Sequence, residues 1–278
     1  MRGWWQDFTD LVLPADCGGC GRARTALCEP CRKALYGAVP RRVRPLTVPP
    51  GLPVVHAAAP YADAARAVLL AHKERGALVL AGALGEALAR AVRVGVHTGV
   101  RTGTGAGAGA RAGEPLLLVP VPSARGATAA RGHDPVRRIA LVASRALRRD
   151  GVRARMLPVL RQRRAVVDQA GLDARARLVN MEGALDVVPG GERLLATGRA
   201  VLVDDLMTTG ASLAEAARAL RAVEPAQSAA RATGAERRGG PGSSAPGCAG
   251  TGAGSGAFHR TLAAVVAASP DSFEINRN

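Results

Sequence analysis

Aromatic residues make up only 3% of this 278-residue chain. Proteins that hold nucleic-acid single strands stack successive bases on aromatic rings, so this scarcity disfavours direct strand binding. Lysine is nearly missing too: Lys33 and Lys73 are the only two. No glycine-rich loop ending in Gly-Lys-Ser/Thr occurs, which excludes a P-loop nucleotide triphosphatase. Long apolar runs are also absent; even the opening WWQDFTDLVL is broken by Gln6, Asp7 and Asp10. A membrane helix needs about 18 or more consecutive apolar residues, and a secretory signal needs an uninterrupted apolar stretch. No membrane insertion and a cytoplasmic location are therefore expected.

What is present supports a packed core. Hydrophobic residues are 47% of the chain, enough for one good-sized domain plus a small appendage. The formal charge of +16 is carried almost wholly by arginine. Its forked guanidinium suits phosphates and nucleic acid, whereas the general excess of Ala, Gly and Arg reads as a compositional bias; under either reading the surface attracts anions at low salt.

Cys17-Gly-Gly-Cys20 and Cys28-Glu-Pro-Cys31 are two Cys-x-x-Cys pairs separated by seven residues. Each pair places two thiols on one side of a tight turn, and together they complete a tetrahedral zinc site. Disulfides and a redox dithiol compete with that reading. The missing secretory signal disfavours the first, and the duplication disfavours the second. Four thiolates leave no open coordination position, so Zn²⁺ bound here is expected to be structural.

Residues 1–40 are read as an N-terminal segment with the zinc module, 41–53 as a Pro- and Arg-rich linker, and 54–278 as one domain. Strands are expected at 54–59, 116–121, 156–160, 183–188, 201–203 and 261–267. Helices are expected at 63–73 with Asp63 as cap, at 79–94, from Pro135 through Leu147, and at 213–223. Residues 161–181 read as a long polar loop with at most one helical turn, either closing over a substrate or simply connecting. Residues 98–113 and 224–256 are low in complexity with little to bury, and are expected to be disordered insertions. Alternating strands and helices imply an α/β fold with a doubly wound, mostly parallel sheet that binds ligands at the carboxyl ends of its strands.

VLVDDLMTTGAS (201–212) is the most informative run. Val201, Leu202 and Val203 read as a buried strand, Asp204 and Asp205 as its acidic end, and Thr208-Thr209-Gly210 as a turn before an Ala-rich helix. A turn opening onto a helix N-terminus aims free backbone N–H groups at one spot, and small residues let a phosphate come close. Carboxylates only accept hydrogen bonds, so they suit hydroxyl donors or a hydrated metal rather than that phosphate. The run thus offers a phosphate cradle beside a hydroxyl clamp, matching the two ends of a ribose 5-phosphate. Acids that merely cap the next helix would explain one carboxylate but not the pair followed by Thr-Thr-Gly-Ala-Ser. Lys73 reads equally as a solvated helix-end lysine or an anion ligand. The loop with Arg125 and Arg131 is either a solvated basic loop or one wall of a phosphate crevice.

The 201–212 run resembles the phosphoribosyl pyrophosphate (PRPP) motif of type I phosphoribosyltransferases. The chain as a whole is similar to the ComF family, phosphoribosyltransferase-like bacterial proteins linked to competence for DNA uptake. The likeness is carried, in the same order, by LVLPADCGGCG with the second cysteine pair, Tyr61 with the helix ending in Lys73, LVPVPSARGATAARGHDP, RQRRAVVDQAGLDARARLVNMEGAL and VLVDDLMTTGAS. Where the family usually has Arg-Gly-Phe-Asn-Gln, this chain has Arg131-Gly132-His133-Asp134-Pro135. The resemblance implies the type I phosphoribosyltransferase fold and PRPP binding with Mg²⁺. Asp204 and Asp205 would hold the ribose hydroxyls, and Met207, Thr208, Thr209, Gly210, Ala211 and Ser212 the 5′-phosphate; Lys73, Arg125 and Arg131 are candidates for the pyrophosphate. It implies phosphoribosyl transfer to a nitrogen nucleophile, with a non-catalytic competence factor that binds single-stranded DNA or a DNA-uptake helicase, or a PRPP-sensing regulator, as alternatives on the same fold.

Overall fold

The computed structural model describes residues 16–101, 114–123, 128, 129, 131–164, 166, 173–223 and 261–274. Its elements run α1 (Glu29–Tyr36), β1 (Arg41–Val43), β2 (Val54–Pro60), α2 (Asp63–Lys73), a 3-10 turn (Leu78–Leu80), α3 (Ala81–Arg101), β3 (Leu116–Pro120), α4 (Pro135–Arg149), β4 (Ala154–Met156), β5 (Leu160–Gln162), α5 (Ala174–Met181), β6 (Leu185–Val187), α6 (Gly191–Leu195), β7 (Arg199–Met207), α7 (Ala211–Arg221), β8 (Leu262–Ala268) and α8 (Asp271–Glu274).

Six strands form one sheet in the order β1-β2-β8-β7-β3-β4, parallel throughout except at the β1 edge. Strands covered on both faces must be apolar at every position, and LLLVP of β3 and LAAVVAA of β8 are buried along their whole length. Successive side chains alternate between the faces. Leu116, Leu118, Val201 and Val203 join a core with α3 and α4, while Leu117, Val119 and Leu202 join one with α7. The molecule is therefore an α/β fold with helices on both sides of a mostly parallel sheet, as the alternation of elements implies.

The connection through α4 carries β3 outward to β4, and the connection through α7 carries β7 the other way to β8. That divergence puts a switch point between β3 and β7, where the carboxyl ends of the strands leave a crevice. Pairing with β3 stops at Pro120↔Val203, whereas β8 follows β7 on to Met207↔Ala268. Residues 204–207 thus project past β3 with one edge free of strand partners among the described residues.

The structure corrects the expected elements in five places. Residues 156–160 are not one strand, because Pro158 has no N–H to give a ladder; β4 ends at Met156, and β5 pairs antiparallel with β6 in a separate two-stranded sheet. Asp63 does not cap α2: the N-cap is Ala62, and Asp63 sits in the first turn at φ 42. The linker 41–53 is not connector throughout, since β1 extends the main sheet and a Cβ on Gly210 would lie 3.0 Å from Leu52. α3 runs to Arg101, so 98–101 are helical; the rest of the expected insertions, 102–113 and 224–256, lies outside the described residues. The segment 161–181 contains the two-turn helix α5, whose N-cap Asp173 accepts from the Ala176 amide at 2.7 Å.

α5 and the β5–β6 pair pack on α7. Buried Glu215 of α7 fastens them. Its carboxylate accepts two bonds from Arg218 and one from the Leu185 amide, and Arg218 in turn donates to the Leu185 carbonyl. Burial raises the Glu215 carboxyl, but these donors outweigh it and hold the group below the usual carboxylate range.

His56 on β2 is 4% exposed, with Nε2 3.2 Å from the Thr98 hydroxyl. Burial, helped by the charge of Arg42, pulls the ring down to about 4. In the unfolded chain a histidine takes its proton near pH ~6.5, so between about pH 6.5 and 4 the unfolded state binds the extra proton and folding weakens as pH falls. The loss should reach about 3 kcal/mol, with His72, also lowered by burial, adding in the same direction. His56→Gln keeps a partner for Thr98 but cannot titrate, so chemical denaturation of this variant should show a flatter loss of stability over that range. A slope identical to wild type would refute the assignment.

Candidate functional site

The acid pair sits where the crevice opens. Asp205 is buried, with Oδ2 3.0 Å from the Lys73 Nζ at the end of α2. Asp204 is half-buried, and its Oδ1 accepts from the Asp205 amide at 2.8 Å. Burial first, and then the Asp205 charge, push the Asp204 carboxyl well above the usual carboxylate range, with Lys73 opposing. The two acids are therefore not equivalent acceptors. Asp205 is paired with Lys73, while burial and the neighbouring carboxylate disfavour charge on Asp204. The charge of Asp205, more than that of Asp204, raises the Lys73 ammonium against the effect of burial, so it stays charged.

α7 begins at Gly210, whose φ of 77 lies in the left-handed region that glycine adopts without strain. Because Gly210 is the N-cap and both acids lie inside β7, neither acid caps this helix. The first-turn amides of α7 have no partners within the helix, as at any helix N-terminus. Thr208 is exposed there, and Thr209 accepts weakly from the Ala211 amide at 3.4 Å. Met207 and Ala211 are buried, so only their backbones face the loop, while Ser212 is half-buried.

The end of α2 is the junction that gathers the cations. Next to Lys73, the C-cap Glu74 pairs with Arg131 Nε at 3.3 Å, and Arg131 Nη1 is buried without a hydrogen-bond partner among the described residues. His133 has its ring nitrogens 3.1 Å from the Arg131 carbonyl and 3.3 Å from the His72 carbonyl, tying the loop to the helix end. Asp134 caps α4 by accepting from the Arg137 amide at 3.1 Å, and Pro135 opens that helix. His133, Asp134 and Pro135 thus have local structural roles of their own. Arg125 lies outside the described residues.

Sequence reading missed Arg177. It is carried on α5, and its Nη1 donates to the Thr208 hydroxyl oxygen at 3.3 Å. No local signal could have singled it out among the arginines of 161–181, because the contact joins two distant parts of the chain.

The four cysteines form a second cluster. All four Sγ atoms lie within 4.8 Å of one another, with Cys28 Sγ 3.6 Å from Cys17 Sγ and 3.5 Å from Cys20 Sγ. A tetrahedral metal with bonds of about 2.3 Å to sulfur separates its ligands by about 3.8 Å, so the group can hold a metal ion such as zinc. The four are free thiols, not disulfides. Burial raises Cys17, but hydrogen bonds from the backbone of Cys28, Cys20 and Gly19 bring it down to about 6; burial and the neighbouring thiols push Cys31 up. The close approach explains the glycines between the first pair. A Cβ on Gly19 would sit 2.6 Å from Cys31 Sγ, and one on Gly18 2.6 Å from Leu80. Cys17, Leu27, Cys28, Cys31 and Leu35 belong to the same core as Val68 of α2 and Leu84 of α3, so the module is docked rather than independent.

A cavity of about 490 Å³ opens far from the acid pair, between Leu27, Tyr36, Leu80, Val142 and Arg145. Among the described residues no helix is long and apolar enough to cross a membrane. Comparison with protein-family models and with curated proteins finds no match for this chain.

Proposed function

We propose that this chain is a phosphoribosyltransferase-like protein of the ComF kind, with the type I phosphoribosyltransferase fold, a zinc ion on its four cysteines, and a crevice that binds PRPP with Mg²⁺. The observation that carries the reading is the meeting of Asp205, Lys73 and the 208–212 turn at the carboxyl end of β7, beside the β3/β7 switch point. An acid pair at a strand end suits the ribose 2′- and 3′-hydroxyls, from which carboxylates accept hydrogen bonds. The Thr208 hydroxyl and the amides of 208–212 suit the 5′-phosphate. Lys73 and Arg131 supply the positive charge that a diphosphate requires.

In a transfer reaction the bond from C1 to the pyrophosphate oxygen breaks, a nitrogen nucleophile forms the new bond at C1, and that nitrogen loses its proton. Lys73 and Arg131 would neutralise the departing charge, and the anionic Asp205 would favour the positive character that develops on the ribose. The acid pair is no ready cage for a bare cation, since Asp205 is engaged by Lys73 and burial disfavours charge on Asp204. The residues fit Mg²⁺ only as an ion brought in on the diphosphate, where it supplies further charge neutralisation.

Calorimetric titration with PRPP and Mg²⁺, paired with a pyrophosphate-release assay over a panel of nitrogen bases, tests this. Saturable binding is the expected result, and release with one class of base identifies the acceptor. No heat and no release at millimolar PRPP would sink the reading.

A further inference from the structure

We infer that the cavity between the cysteine module, α3 and α4 is a docking site for the chain's own residues 4–13, filled by the side chains of Trp4, Trp5 and Phe8. These residues precede the described part of the chain, and the inference stands apart from the ribose-phosphate reading.

The cavity, about 490 Å³, has an apolar floor and a basic mouth. Leu80 is buried beneath it, Tyr36 is half-buried in its wall, and Val79 stands 57% exposed beside it. Arg32, Arg145 and Arg149 line it too, and Glu86 is the only acid among its lining residues. Glu86 is taken by Arg149, and Arg145 pairs with no acid among the described residues. An apolar centre with a charged rim is the anatomy of a protein interface. The matching surface is aromatic or aliphatic, with carboxylates at its edge.

Residues 4–13 have that chemistry. Trp4, Trp5, Phe8, Leu11 and Val12 recur at the spacing of one helical face, with Gln6, Asp7, Thr9 and Asp10 between them. From Gly3 to Ala15 the only charged side chains are Asp7 and Asp10, in a chain whose net charge is +16. Both tryptophans of this aromatic-poor sequence lie in the segment.

Connectivity brings the segment to the mouth. The described chain starts at Asp16, and the Gly18 amide donates at 3.0 Å to the carbonyl of Ala26, a residue of the cavity wall. A Cβ on Gly18 would lie 2.6 Å from Leu80 in the floor. From Asp16 back to Phe8 the backbone covers roughly 12 Å as a helix and roughly 26 Å extended, so the aromatic side chains reach the cavity under either geometry. So short a tether also gives the chain's own segment a millimolar effective concentration, which favours it over the same segment of a second copy.

Because both tryptophans lie in the segment, tryptophan emission of the full chain reports on it alone. Wild type should show blue-shifted emission and shielding from acrylamide at every protein concentration. G82L puts an apolar side chain into the cavity from α3, at a glycine where an added Cβ meets nothing within 4 Å. It should shift the emission to the red and raise acrylamide quenching severalfold. R145E should act in the same direction more weakly, and adding D7R to it should restore part of the shielding. Thermal melts establish that each variant is folded; if one is not, the other decides by the same readouts. Exposed tryptophans in wild type overturn the inference and leave the cavity to another protein or a small ligand. Shielding that fades on dilution, with a dimer's mass by light scattering, overturns it in favour of a second copy. Shielding that survives both G82L and R145E places the tryptophans elsewhere and overturns it as well.

Discussion

Stripping the proposed zinc from the cysteine cluster is expected to lower the melting temperature by roughly 10–20 °C. Structural zinc contributes about 10–16 kcal/mol to peptides that have no other core; here the module leans on a preformed one, and a loss of about 5 kcal/mol is the reasonable share. At roughly 2–4 °C per kcal/mol for a domain of this size, that gives the range stated. The damage should also travel. Gly18 is pressed against Leu80 and Gly19 against Cys31 and Val68, so a loosened module withdraws packing from α2, the helix that ends in Lys73. Hydrogen exchange after chelation should quicken in residues 63–80 as well as 16–36, and Cys28→Ser should reproduce the effect. Elemental analysis showing no zinc in protein purified without chelator, or a melting curve that chelator does not move, would remove the metal from this account.

Asp205→Asn is expected to lower PRPP affinity roughly ten- to a hundredfold, because a charge-assisted acceptor is replaced by an amide that also donates. The same change should cost about 1–3 kcal/mol of stability, since the 3.0 Å bond to Lys73 is weakened and the ammonium keeps its charge. Lys73 retains 32% side-chain exposure, and water relieves part of that cost. Asp204→Asn should be gentler on stability, because the ion pair with Lys73 is made by Asp205. Calorimetry on both variants separates these roles. Equal and undiminished affinity in the two, given measurable wild-type binding, would refute the ribose clamp.

The parts legible in the sequence are those governed by local chemistry. Buried parallel strands must be apolar throughout, so 116–121, 201–203 and 261–267 could be located directly; a glycine turn between an acidic strand end and an Ala-rich run gave the start of α7. The cysteine cluster followed from spacing alone. What escaped depends on partners distant in the chain. Lys73 reads in sequence equally as a helix-end lysine or an anion ligand, and only the fold sets it against Asp205; Arg177 is one of several arginines until α5 lays it on Thr208. Asp204 and Asp205 look alike in sequence, yet the fold sets Lys73 against Asp205, while burial and the neighbouring carboxylate raise the Asp204 carboxyl. The 156–160 error was avoidable: Pro158 was in plain view.

The alanines of β8 have a bearing on how this protein can change over time. Ala263, Ala264, Ala267 and Ala268 are all fully buried between two helical layers, and neighbouring glycines are equally tight: a Cβ on Gly95 would meet His56 Nδ1 at 2.9 Å and Leu262 at 3.0 Å. Side chains this small have almost nothing left to lose and no room to grow, since added methylenes force backbone shifts in a close-packed interior. Neutral drift along this strand is therefore one-sided. Small residues here are held in place by their surroundings, and substitutions should be accommodated more readily on the arginine-rich exterior, where charge can change without disturbing the layers beneath.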